Sequence, residues 1–235
     1  MRSRIIGGIV VVLAVSALWS VRTARTAVHP QAAAPGAATS VPDLTGVWME
    51  RKFQPKMYLD GAPPLQPWAE AKFKAVDLTT DDPNLDCLPE GVPRMMFIPL
   101  PMEIIQLPGR VIMIQEAWNQ LRRIYTDGRQ HPKDPDPTFT GHSTGKYEGD
   151  TLVVDTIGLS VKTWLDHVGL PHSDALHIIE RIRRMDHNTL QDDFTIDDPK
   201  TFTKTWTARQ IYDLKPDWEI EEFVCENNKY STKKK

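Results

Sequence analysis

The sequence has no excess of positive charge: 28 Lys+Arg stand against 31 Asp+Glu, a formal net charge of -3 over 235 residues. Nucleic-acid binding draws much of its free energy from cations set against phosphates, so this balance excludes a nucleic-acid role. The chain also lacks a G-x-x-x-x-G-K-[ST] loop, a dinucleotide fingerprint and a C-x-x-C-H run. Nucleotide and c-type haem use are therefore not expected, and no cofactor is. Cysteine is scarce, with only Cys87 and Cys225. Proline is not: its 19 residues argue against a mostly helical protein, because Pro removes a backbone donor and breaks helix interiors. Seven Trp, seven Phe and five Tyr supply enough apolar surface to exclude disorder throughout.

One long apolar run is present, from Ile5 to Trp19, behind Arg2 and Arg4. A short positive head before such a run is the pattern of a secretory signal. The run is marginal for spanning a bilayer, which takes about 20 apolar residues. Residues 1–25 are read as an export signal, with a retained N-terminal membrane anchor as the alternative. Residues 26–42, rich in Ala and Pro, read as a linker. Residues 43–228 read as one folded domain and 229–235 as a basic tail. This places the protein in the periplasm or outside the cell. There, Cys87 and Cys225 read most simply as a disulfide tying the Pro-rich loop 82–93 to the last strand. Two separate buried thiols remain the alternative.

The hydropathy pattern past Met95 has period two. It predicts strands at 103–107, 111–118, 120–126, 142–147, 151–156, 175–185, 189–196, 201–212 and 217–225, and 44–50 is a further candidate strand. Pro67 heads the one stretch that reads as helix, 67–76. Sequential strands with short turns predict a mainly β antiparallel meander closing into a barrel, with a β-sandwich as the alternative. Leu176, Ile178 and Ile182 share a face with Glu180 between them, and Phe194 and Ile196 share one with Asp192. Arg184 falls on the face of Glu180, so an internal ion pair is expected, or a polar floor under a ligand cavity.

Gly46-Val47-Trp48 on the first strand is similar to the opening of lipocalins and other calycins, in which the Trp plugs one end of the barrel. A wider resemblance rests on Cys87-Leu88-Pro89-Glu90-Gly91-Val92-Pro93-Arg94, on Ile124-Tyr125-Thr126-Asp127-Gly128-Arg129, on 141–156 and on 171–177. These segments resemble a large uncharacterised family of exported bacterial β-rich proteins. The resemblance implies export and β-structure and lends no activity. Lys146-Tyr147 departs from the family's usual Arg/Lys-Trp pair, and Asp192 stands where an apolar residue is expected.

Gly141-His142-Ser143-Thr144-Gly145 matches the nucleophile elbow G-x-S-x-G, but no apolar strand precedes it and no helix follows it, so a close strand approach is the better reading. His131, His142, His167, His172 and His177 crowd one third of the chain, at spacings that match no zinc motif. No metal is expected. His142 and His172, with Asp166 or Glu180, are the candidate acid–base groups at a barrel mouth. Arg94, Asp127, Arg129, Trp164 and Trp48 are the candidate ligand contacts, Arg94 as a bidentate anion binder unless Asp86 or Glu90 takes it. The expected function is binding of a small, largely apolar molecule, with Met95-Met96-Phe97 as an adaptable wall. The alternative is a small-molecule isomerase, lyase or hydratase. The expected partner is that ligand or substrate.

Overall fold

A computed structural model describes residues 41–58 and 61–225, all within one compact unit, Thr39–Lys235. The expected signal, most of the linker and the basic tail lie outside the described residues.

Nine strands close into a barrel in sequence order. They are β1 (Gly46–Glu50), β2 (Met102–Leu107), β3 (Arg110–Gln115), β4 (Gln120–Tyr125), β5 (His142–Glu148), β6 (Thr151–Ile157), β7 (His177–Asp186), β8 (Thr189–Asp197) and β9 (Trp206–Leu214). The barrel shuts where β1 pairs β9, Trp48 opposite Leu214, which leaves no free edge. The one α-helix among the described residues, α1 (Pro67–Lys74), starts on its proline and ends two residues before the expected boundary. The expected strand at 217–225 does not form, and Thr201–Thr205 precede β9 as turn and bend around a single bridge from Phe202 to Leu65. Pro216 and the run of acidic residues after it remove ladder donors and repel pairing.

The barrel departs from a pure meander at one joint. β4 and β5 are parallel, Ile124 opposite Ser143 and Tyr125 opposite Thr144. A parallel pair needs a long crossover, and the Pro-rich segment 126–141 supplies it. Two glycines permit the joint. A Cβ on Gly145 would stand 2.8 Å from Ile124 Cγ2, and Gly141, at φ +65°, would press a Cβ to 2.7 Å from the Ile157 carbonyl. That is the physical use of the G-x-S-x-G pattern here: Ser143 lies in a strand, buried, with its hydroxyl against Thr156 Oγ1 at 2.9 Å.

Period-two alternation sends Ile178, Glu180 and Ile182 inward, and Leu190, Asp192, Phe194 and Ile196 likewise. The barrel axis is filled. Trp48, Met95, Phe97, Ile104, Met113, Ile124, Leu152, Val154 and Ile182 have zero accessible surface, so none of them touches a space large enough for water. A 3-10 turn, Arg94–Phe97, inserts Met95, Met96 and Phe97 into this core. Phe97 packs on Phe194 at 5.2 Å, Gln115 Nε2 donates to the Met95 carbonyl at 2.8 Å, and the Tyr212 hydroxyl donates to the Met96 carbonyl at 2.7 Å. These residues fill the interior where the sequence reading had them line a cavity.

Cys87 and Cys225 form a disulfide, 138 residues apart in sequence. It fastens the 82–93 loop to the irregular segment after β9 rather than to a strand. Asn119 Nδ2, donating to the Phe223 carbonyl at 2.8 Å, and Trp118, packed at a tilt on Phe223 with ring centroids 4.9 Å apart, hold the same segment.

Candidate functional site

Four polar assemblies are built on this frame. The first lies on the barrel axis. Arg122 of β4 and Glu180 of β7 are both fully buried and joined by two contacts, Nη1 to Oε1 at 2.7 Å and Nη2 to Oε2. Arg122 Nη2 also donates to Thr156 Oγ1 at 2.9 Å, and its Nε and Nη2 to Ser143 Oγ. Burial works against the Arg122 charge, but Glu180 and then Asp192 outweigh it and raise its pKa. Asp192, 1% exposed, is pushed well above the ordinary carboxylate range by burial and then by the Glu180 charge. The expected internal pair therefore exists with a different cation. Arg184, just before a β-bulge, instead donates to the His187 and Asp43 carbonyls and lies 5.2 Å over the Trp48 ring.

The second assembly is in the loops. Arg94 is 3% exposed and its fork is taken by Asp82, Nη1 to Oδ1 at 3.0 Å and Nη2 to Oδ2 at 2.9 Å, while Nε lies against Glu90 and His167. Trp164 packs 5.5 Å from the guanidinium. Burial raises Glu90 to about 7, with Arg94 opposing it. Burial raises Asp166 to about 6, against two N–H bonds from Val168 and Leu170 to Oδ1. Burial, then the Arg94 charge, lowers His167 to about 4. Arg94 is saturated by its own carboxylates, so it does not present a free fork to an anion. Asp82, not Asp86, supplies the bidentate partner.

The third assembly is on the outer wall, where β4 to β7 turn Tyr125, His142, Thr144, Asp155 and His177 outward. His131, from the crossover, lies over them. Its Nδ1 is 2.8 Å from His142 Nδ1 and its Nε2 is 3.1 Å from Asp155 Oδ1. His177 Nε2 approaches the same oxygen at 2.9 Å. If Asp155 accepts from His131 Nε2–H, then His131 Nδ1 is an acceptor and His142 Nδ1–H must donate to it. His142 stacks on Tyr125 at 5.5 Å, and Arg129, paired with Asp127, lies over the Tyr125 ring at 3.8 Å. Burial, then His131 and Arg129, lowers the His142 pKa and favours its neutral form. Among the described residues no group of three or more His, Cys, Asp or Glu side chains is arranged to hold a metal ion.

The fourth is a groove of about 660 Å³ on the wall of β7–β9, bounded by Tyr58 and by Gly61–Pro64. Outward residues Arg181, Asp193, Thr195, Thr207 and Arg209 line it, together with Lys204 and Trp206. The segment facing the wall is tied down by the Thr203 N–H and hydroxyl, which donate to the Pro64 carbonyl at 2.7 and 3.1 Å.

The structure does not bring the four candidate acid–base groups together. Glu180 is on the barrel axis, His142 is on the outer wall and Asp166 is in the Arg94 cluster. His172 is 5% exposed between the Ser173 carbonyl at 3.0 Å and Thr163 Oγ1 at 3.4 Å, where burial lowers its pKa. Of the candidate ligand contacts, Arg94 and Trp164 meet, Asp127 and Arg129 pair on the surface, and Trp48 is sealed in the core with its Nε1 donating to the Leu44 carbonyl at 2.9 Å. Sequence reasoning missed Arg122, although two-residue alternation from Ile124 points it inward. It also missed Asp155, and the whole groove, whose walls come from segments far apart in the chain.

No family model, no curated protein and no solved structure matches the chain. The fold and sites thus define its class by themselves: a closed nine-stranded barrel with a packed axis and polar groups displayed outside it.

Proposed function

We propose that this is an exported protein that binds a small, partly apolar molecule, and that the ligand sits in the outer-wall groove beside β7–β9. The observation that carries the reading is the size of that groove: about 660 Å³, within the roughly 300–1,000 Å³ of small-molecule sites. Tyr58, Pro63, Pro64 and Trp206 give it apolar surface, and Thr195 and Thr207 give it hydroxyls. The filled barrel axis supports a seat outside it. The disulfide supports export, since such bonds persist in oxidising compartments. Calorimetric titration with 2-naphthamide, a flat neutral probe, tests the reading. Binding is expected, and Thr195→Trp should abolish it by filling the groove. Binding that survives Thr195→Trp overturns it.

A second reading is acid–base chemistry, favoured by the Asp155–His131–His142 chain. Asp155 orients His131, His131 fixes the tautomer of His142, and a neutral His142 Nε2 is left to accept a proton. Ring opening of 5-nitrobenzisoxazole, which begins when a base takes its carbon-bound proton, should slow on His142→Gln and on His131→Gln alike. Equal rates in all three proteins would overturn this reading.

A further inference from the structure

We propose that the groove selects an organic anion: a flat apolar molecule carrying a carboxylate or comparable acidic group, gripped by Lys204 and Arg181. This rests on the groove being the ligand seat and adds the chemistry that the seat recognises.

The charges around the groove are unequal. Among the described residues Arg181, Lys204 and Arg209 line it against one acid, Asp193. Arg209 is engaged with Asp193 through its Nε, and Asp193 also accepts from Gln191 Nε2 at 2.7 Å, so that acid is consumed locally. Arg181 has one contact, Nη1 to Glu148 Oε2 at 3.2 Å, and Glu148 is shared with Lys146. Its remaining donors meet no acceptor among the described residues, and half of its side chain is exposed. Lys204 has no acidic partner among the described residues. The described lining therefore carries more cations than acids, with Arg181 and Lys204 left to donate, and an excess of positive charge inside a concavity raises the local concentration of anions. Trp206 adds an independent element: its Nε1–H is shut off from solvent and has no acceptor among the described residues. An unpaired donor beside a cationic groove fits an acceptor-rich ligand better than a hydrocarbon.

The apolar part of the ligand is set by the opposite wall. Ala62, Pro63 and Pro64 offer rigid surface with no donor from either proline, and Tyr58 adds an aromatic side chain to the lining. A molecule with one planar apolar body and one acidic end satisfies both walls together, and an inorganic anion satisfies only one.

A matched pair of probes separates the two claims. The carboxylate 2-naphthoate and the neutral 2-naphthamide have the same ring system and nearly the same shape. In calorimetry at low salt the protein should bind 2-naphthoate about tenfold more tightly, which corresponds to about 1.4 kcal/mol. Lys204→Gln and Arg181→Gln should remove that preference by weakening 2-naphthoate more than 2-naphthamide, and 0.5 M salt should weaken the carboxylate more than the amide. Equal affinities for the two probes, both lost in Thr195→Trp, would overturn the anion claim and leave the groove standing. Binding of neither probe, or binding indifferent to Thr195→Trp, would overturn the groove itself.

Discussion

Arg122 and Glu180 meet on the barrel axis with no solvent-accessible surface on either. Two charges buried this way cost several kcal/mol each in lost hydration, which their attraction and the Ser143 and Thr156 hydroxyls offset. They also occupy the space that a central ligand would need.

Removing one partner of that pair should be far worse than removing both. Arg122→Met strands an unpaired Glu180 and is expected to cost about 3–5 kcal/mol in denaturant unfolding. Arg122→Met with Glu180→Leu should recover about half of that or more, because Asp192 already favours its neutral form. Additive losses in the double variant would refute the pairing.

Glu50 should make stability fall with rising pH. Burial raises its pKa from 4.5 to about 7, against a hydrogen bond from Gln210 Nε2 to Oε2 at 2.8 Å. A carboxyl kept neutral by folding contributes fully below the unfolded value and loses that contribution as pH climbs to the folded one. Relative to the native chain, Glu50→Gln should therefore gain about 2 kcal/mol between pH 4.5 and 7. Unfolding midpoints across that window test it, and a constant gap would contradict it.

The period-two signal made most of the barrel legible, because every strand with one buried face writes that face into the sequence. Glu180 and Asp192 were readable as inward for the same reason. The partner of Glu180 was not, since nothing local to Arg122 reveals that β4 lies across the axis from β7. The parallel β4–β5 joint was hidden by its crossover, which has neither helix nor strand pattern. The histidine chain was half legible. His142 stood out, but its link to Asp155 depends on where the crossover lays His131.

Cutting the covalent tie should destabilise the fold without dissolving it. Cys87→Ser with Cys225→Ser frees a loop of 138 residues, worth about 5 kcal/mol in the chain-entropy model. The observed loss should be smaller, because Asn119 and Trp118 hold the same segment. Unfolding with and without reductant measures it, and a native chain indifferent to reductant would contradict the constraint.

His142 should titrate below the usual histidine value, and Arg129→Gln should move it upward, because the Arg129 charge disfavours its cation. The neutral form is favoured by folding, so this histidine's contribution is lost as pH falls through 6.5 toward its lowered value. Proton NMR of the ring follows both, and an unmoved or downward shift in Arg129→Gln would refute the electrostatic cause.

The central claim is that the ligand seat is on the outer wall while the axis stays packed. Backbone amide shifts on adding 2-naphthoate test it most directly. The shifts are expected to gather at Thr195, Lys204, Thr207 and Arg209. Shifts centred instead on Ile104, Met113 and Val154, all sealed within the barrel, would contradict it.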